Sequence, residues 1–102
     1  MYSSLKRWAN VPFEIKPFIG ENTALDKEYG PLIEALCYPV SESKPVVNRE
    51  GEQNISNTTL YVDAIYTIGH KDIIVFEDYD YTILSLTSYY ENGKRSIWVV
   101  HI

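Results

Sequence analysis

Hydrophobic and polar residues alternate with a period of two over several short stretches of the chain, which is typical of strands buried on one face. The first stretch is Val11–Lys16, where Pro12 and the following Pro17 favour an edge position because proline lacks a backbone N–H. Further strand-like stretches cover residues 32–40, 59–66, 73–76, 81–90 and 94–102. The pattern therefore predicts six or seven short strands and no long amphipathic helix.

Turn residues separate these stretches. Asn92-Gly93 predicts a type I′ hairpin turn between residues 81–90 and 94–102, because both central positions of that turn need a positive φ. The acidic run 77–80 predicts a chain reversal, and residues 20–30 predict a polar connection. Turns at a spacing of roughly ten residues are typical of a small barrel or sandwich, so the fold class expected is all-β.

Two segments lack a strand pattern. Residues 1–10 read as a flexible lead-in, and residues 41–58 form the longest polar stretch of the chain. We expect residues 41–58 to be a long inter-strand loop, a feature that is uncommon in compact domains and is often functional. The 102 residues fit one domain, covering positions 1–102.

Composition adds two constraints. The 45% hydrophobic content argues against disorder, and the nine tyrosines suit half-buried strands and subunit interfaces. The formal net charge of −5, with basic pairs only at Lys6-Arg7 and Lys94-Arg95, disfavours a nucleic-acid binder that works by counterion release. An acidic surface is compatible with DNA that slides past without binding.

The compartment follows from cysteine and apolar content. The single cysteine, Cys37, excludes an internal disulfide and fits a reducing cytoplasm. The first ten residues lack the apolar core of a signal peptide, and no apolar run has the length of a membrane span. We therefore expect no membrane association.

Candidate catalytic chemistry is sparse. His70, His101, Cys37 and Asp63 follow no known nucleophile, zinc or cofactor spacing, so the sequence predicts no catalytic residue, no metal ligand, no cofactor and no enzyme. The acidic run 77–80 could bind calcium, but it lacks the ligand number and glycine of calcium loops. A solvated turn is the favoured interpretation.

Four tyrosines flank the last predicted hairpin: Tyr79, Tyr81, Tyr89 and Tyr90. Aromatic residues on a β-surface can stack single-stranded bases, but such a platform needs nearby basic residues. Acidic residues surround these tyrosines instead, which favours cross-strand packing or a subunit interface.

The order of weak motifs along the chain resembles that of one viral protein family. The motifs are Phe13-Glu-Ile-Lys-Pro-Phe-Ile-Gly20, Val46-Val-Asn-Arg-Glu-Gly-Glu52 with Ile55-Ser56, Thr59-Leu-Tyr-Val-Asp63, Asp72-Ile-Ile74, Tyr81-Thr-Ile-Leu-Ser85 and Ile97-Trp-Val-Val100. Their order and spacing are similar to those of the minor capsid or head-closure proteins of siphophages. The likeness extends from Pro12 to Ile102.

The resemblance implies a β-barrel that assembles into a homo-oligomeric ring beneath the phage portal and adaptor, at the head–tail junction of the virion. Such a ring closes the DNA channel after packaging and receives the tail, and it is assembled in the host cytoplasm. In related proteins a long loop reaches into the channel, and the corresponding segment here is 41–58. The channel residues expected on this basis are Val46, Val47, Asn48, Glu50, Gly51, Glu52, Asn54, Ile55 and Ser56.

A ring needs two different surface patches that meet head to tail. The candidate interface residues are Phe13 and Phe18 on one patch and Tyr79, Tyr81, Tyr89 and Tyr90 on the other. The partners expected are copies of the chain, the portal, adaptor and tail proteins, and the DNA that passes through. A tail-completion or tail-terminator protein is the alternative, followed by a small nucleic-acid-binding barrel.

Overall fold

The structure is a computed structural model, and it describes residues 9–22, 24, 26–47 and 50–102. The predicted all-β class is confirmed. The strands of this part of the chain are β1 (Val11–Lys16), β2 (Phe18–Glu21), β3 (Lys27–Tyr29), β4 (Ile33–Val47), β5 (Gln53–Asp63), β6 (Ile73–Phe76), β7 (Tyr79–Thr82), β8 (Ser85–Glu91) and β9 (Lys94–His101). No helix in the described ranges is long and apolar enough to cross a membrane.

Seven strands form one antiparallel sheet in the order β7-β6-β1-β4-β5-β9-β8. The two edge strands, β7 and β8, are joined by only Ile83 and Leu84. In a flat sheet these edges would lie about 29 Å apart, at about 4.8 Å per strand. The step from Thr82 to Ser85 spans at most about 10 Å. The sheet must therefore curl until its edges meet, which makes an open barrel.

The inner face of the curled sheet carries the hydrophobic core. Its members alternate along the strands with outward-facing residues, as the period-two pattern predicts. The buried cluster consists of Phe13, Ile15, Ala35, Cys37, Leu60, Val62, Ile68, Ile74, Phe76, Ile83, Val100 and Ile102. Tyr81 of β7 and Leu86 of β8 pack against this same cluster, so both sheet edges close over one core.

The expectation of a polar connection over residues 20–30 is wrong in part, because β2 and β3 pair as a separate two-stranded sheet. Phe18 and Tyr29 pack edge to face across this pair, with ring centroids 5.9 Å apart. Asp72, which is buried, accepts hydrogen bonds from the backbone N–H of Phe18 and of Gly69, both at 2.8 Å. This carboxylate fixes the small hairpin to the turn that precedes β6.

The predicted Asn92-Gly93 turn is confirmed, with φ of 55° and 77° at its two residues. The acidic reversal is tighter than expected. Glu77 and Asp78 form a two-residue turn in which both have positive φ, so Tyr79 and Asp80 already pair with β6.

The predicted strand over residues 81–90 is wrong, because it is two strands on opposite sheet edges. Ile83, between them, is only 8% exposed. Its side chain turns into the core at the point where the chain passes from one edge of the curled sheet to the facing edge, so that β7 ends at Thr82 and β8 begins at Ser85. Sequence alternation alone cannot distinguish these two arrangements.

Residues 41–58 are not a structureless loop. β4 continues to Val47 and β5 begins at Gln53, so that most of this segment is a β-hairpin. The pairing runs from Ser41↔Thr58 to Val47↔Gln53, with a bulge between Ser41 and Lys44. The segment is polar because this ribbon lies beyond the barrel and has no core to cover.

Proline placement follows the same geometry. Pro39 and Pro45 lie in β4 beyond Cys37, the last residue of that strand that pairs with β1. A missing N–H is tolerated there because, among the described residues, no strand pairs with the β1 side of β4 beyond Cys37. The predicted edge position of β1 is wrong, since β1 lies between β6 and β4. β6 pairs only with Glu14–Lys16, however, and so leaves Pro12 open on that side.

Candidate interaction surfaces

The hairpin of residues 41–47 and 50–58, here called the arm, extends past its sheet neighbours. On one side β1 pairs with β4 only as far as Cys37. On the other side β9 pairs with β5 only as far as Thr59, and the backbone of Ile102 adds bonds to Asn57 and Thr58. Within the described part of the chain, the outer arm therefore pairs only with itself. A two-stranded ribbon of this kind is marginally stable in water without a partner surface.

The two faces of the arm differ. Val47 and Ile55 lie on one face and are 55% and 60% exposed, respectively. Val46 and Asn54 are paired across the opposite face and are half-buried. Large apolar side chains exposed together on a projecting ribbon are candidates for contact with another molecule.

The base of the arm is anchored to the barrel. The hydroxyl of Ser56 donates to the carbonyl oxygens of Thr58 and Ile102 at 3.0 and 3.1 Å, and its side chain is fully buried. The expectation that Ser56 lines a channel is therefore wrong, because its side chain is used within the fold.

The tip of the arm is acidic and exposed. Glu50 and Glu52 flank Gly51, which has a φ of 85° and so supplies the left-handed turn that glycine favours. Asn48, the remaining predicted channel residue, lies outside the described residues. Arg49 also lies outside the described residues, and with it residues 48–53 carry a net charge of −1.

Two of the predicted interface residues belong to the core instead. Phe13 is 3% exposed and cannot contact a partner, so its assignment to an interface is wrong. Tyr81 is half-buried against the core. Phe18 is also half-buried, with Lys71 Nζ 5.1 Å from its ring centroid.

The other three predicted interface tyrosines are exposed on the sheet edges. Tyr79 on β7 is 68% exposed, and Tyr89 and Tyr90 on β8 are 49% and 59% exposed. Arg95 lies over the rings of Tyr90 and Trp98, at 5.7 and 4.1 Å from their centroids. These contacts fix one end of the β8–β9 hairpin as a rigid aromatic surface.

Sequence reasoning missed an apolar patch on the outer face of the barrel. Leu36 and Tyr38 of β4 are 44% and 42% exposed, and the Tyr38 ring packs on Tyr61 with centroids 6.3 Å apart. The sequence did contain an indication of this patch, because apolar residues occupy positions on both faces of β4. A strand apolar on both faces indicates that its outer face is also used.

The residues considered for catalysis lie in different environments. Burial raises the pKa of the Cys37 thiol to about 12, so it is a neutral core residue at physiological pH. His101 Nδ1 lies 2.9 Å from Thr59 Oγ1, and burial, followed by the charge of Lys44, lowers its pKa. His70 is exposed in the turn before β6. Across the described ranges, no group of three or more His, Cys, Asp or Glu residues could hold a metal ion.

The acidic side chains of residues 77–80 do not face one common site. Asp80 forms an ion pair with Lys16 at 2.6 Å on the outer face of the sheet. Glu77 and Asp78 are exposed in the turn and line a groove beside β1.

An open groove of about 720 Å³ lies on the flank of the barrel beside β1. Pro12, Leu36 and Val75 contribute apolar lining, and Glu14 and Glu34 are also part of its wall. It lies where β6 leaves β1 to form the turn at Glu77. Neither the groove nor its composition was predicted from the sequence.

No known protein family, curated protein or solved structure matches this chain.

Proposed function

We propose that the chain is a non-catalytic structural subunit of a tailed-phage head–tail connector, in which copies assemble into a ring that closes the DNA channel and receives the tail. The arm is the observation that carries this proposal. The apolar side chains of Val47 and Ile55 on this projecting two-stranded ribbon are exposed to solvent in a single copy. Equivalent arms from neighbouring copies can cover these side chains and so stabilise the ribbon.

The arm fits a position at the lumen of such a ring. Ser56 and Ile102 anchor its base to the barrel, so the tip extends from a rigid support. Residues 48–53 carry Arg49, Glu50 and Glu52 and so a net charge of −1. A segment without net positive charge does not attract DNA phosphates, so DNA in transit would pass such a tip without binding to it.

Ring closure needs a second patch on a different part of the subunit. The exposed tyrosines of the sheet edges, Tyr79 on β7 and Tyr90 on β8, supply apolar surface with hydrogen-bonding tips. The outer-face residues Leu36 and Tyr38 add a third surface, suited to the portal-side adaptor or the tail. The location that follows is the head–tail junction of the virion.

The proposal is tested by electron microscopy of lysates from the phage that encodes the chain, with this gene interrupted and then complemented in trans. The expected particles are tailless heads that have lost packaged DNA, beside free tails of normal length. Complementation should restore virions. Heads that retain their DNA, beside tails of abnormal length, would instead support a tail-completion role, and normal virions would refute both.

A further inference from the structure

The groove beside β1 is open because a neighbouring strand ends there. β6 pairs with β1 only over Glu14–Lys16, and then reverses at Glu77 and Asp78. Among the described residues, no strand pairs with Val11–Phe13 on the β6 side of β1. The resulting groove of about 720 Å³ is open and runs beside an unpaired strand edge, which suits an extended polypeptide.

The lining of the groove is apolar with carboxylates at its rim. Pro12 and Leu36 are directly paired across β1 and β4, and both are exposed on the outer face. Val75 completes the apolar strip on the β6 side. An exposed aliphatic strip within a concave surface is favourably covered by aliphatic side chains of a bound segment.

The carboxylates are placed without counter-charges. Glu14 and Glu34 are directly opposite each other on adjacent strands, an arrangement that is destabilising for like charges. Glu77 and Asp78 face the same groove from the turn. Within the described part of the chain, none of these four carboxylates forms an ion pair or a hydrogen bond.

From this geometry we infer that the groove is a docking site for an extended segment of a partner protein in which aliphatic residues and Lys or Arg residues lie two positions apart, and so on the same face of the segment. The aliphatic side chains lie on Pro12, Leu36 and Val75. The basic side chains lie between Glu14 and Glu34 and beside the turn. Charge complementarity selects this occupant, since four uncompensated carboxylates surround an apolar floor.

A second copy of the chain is a poorer occupant. Lys94-Arg95 is the adjacent basic pair in the described part of the chain, and Arg95 is already held over Trp98 and Tyr90. Lys16 and Lys44 are paired with Asp80 and Glu42. Among the described Lys and Arg residues, only Lys27 and Lys94 have no ion pair or ring contact, and they lie on separate strands. The groove therefore fits a different, basic protein better than a second copy, whether or not the chain forms a ring.

The test uses the full chain and a fluorescein-labelled octapeptide with the repeat Val-Ser-Lys-Ser, which places Val and Lys on one face, with binding followed by fluorescence anisotropy near physiological ionic strength. The double variant Glu14→Gln/Glu34→Gln should weaken binding about tenfold. Asp26→Asn/Glu28→Gln removes the same charge from the exposed β2–β3 pair and should leave binding unchanged. Amide chemical-shift changes should centre on Val11, Phe13 and Leu36.

Thermal denaturation of the variants separates binding from folding. Removing the opposed charges of Glu14 and Glu34 should keep or raise the melting temperature, so weakened binding would not reflect an unfolded variant. Equal loss in the groove variant and the control variant would show non-specific attraction and overturn the inference. No binding by the wild-type chain would also overturn it. A groove variant that changes self-association in sedimentation would make a second copy the occupant instead.

Discussion

Asp72 shows how a single side chain connects two parts of this fold. Its carboxylate accepts the N–H groups of Phe18 and Gly69 and is only 8% exposed, so it joins the β2–β3 pair to the turn before the barrel strand β6. Both donors would be left without these bonds if the carboxylate were removed. Within the described ranges, hydrogen bonds and no ion pair stabilise this carboxylate.

We expect Asp72→Ala to lower the free energy of unfolding by about 2 kcal/mol, because hydrogen bonds to a charged group are strong and two partly buried donors lose their acceptor. Urea denaturation measures this difference. Asp80→Ala is the matched control. Asp80 makes an exposed ion pair with Lys16, whose loss should cost about 0.5 kcal/mol or less. Equal effects of the two variants would contradict the role given to Asp72.

His101 predicts a pH dependence of stability. Its pKa is lowered from 6.5 first by burial and then by the charge of Lys44. Folding therefore favours the neutral imidazole, and the unfolded chain binds the proton more readily. Stability should be fully present above the unfolded pKa and should fall as the pH drops below about 6.5.

The melting temperature measured from pH 7 to pH 5 should decrease less steeply in His101→Gln than in the wild type. Lys44→Gln should raise the pKa of His101 in an NMR titration, because it removes the second cause of the shift. Identical slopes in the wild type and His101→Gln would show that other groups set the acid sensitivity.

At the scale of the elements, the arm is where sequence reasoning and structure differ most. Residues 41–58 lack apolar alternation because the ribbon covers no core, and alternation is what identifies a half-buried strand. The Asn92-Gly93 hairpin, in contrast, was predictable because its φ values depend on two local residues. A turn that depends on two neighbouring residues can be predicted from a sequence. A strand that does not pack on the core lacks the hydrophobic alternation by which strands are predicted.

The arm yields a prediction that separates assembly from stability. Val47→Ser/Ile55→Ser should change the free energy of unfolding by less than about 0.5 kcal/mol, because both side chains are mostly exposed in one copy. The same variant should fail to restore virions when it is supplied to the phage with the interrupted gene. Ile65→Ser, which removes an aliphatic side chain that is 72% exposed outside the arm, should restore them. Full rescue by the arm variant would contradict a role for the arm in assembly.

At the scale of the whole molecule, the sequence indicated a small barrel or sandwich, and the two-residue link between β7 and β8 makes it an open barrel. The strand order could not be predicted, because it depends on long-range pairings such as β1 with β4 and β6. For the same reason the groove was invisible, since Glu14 and Glu34 lie 20 positions apart and meet only through that pairing. The assignment of Phe13 to an interface was wrong because alternation does not show which face is inside.

The central claim is that neighbouring copies meet through their arms in a closed ring. Cysteine cross-linking tests this claim directly. Burial raises the pKa of Cys37 to about 12 and makes its thiol unreactive, so Cys37 does not compete with an engineered cysteine for the cross-linker. Virions carrying Val47→Cys are treated with a short bismaleimide, and the products are resolved under denaturing conditions. We predict a ladder of covalent multimers that ends at one defined size and is absent from Ile65→Cys virions. A chain that stays monomeric in both, or that is not present in the particles, would contradict the proposed function.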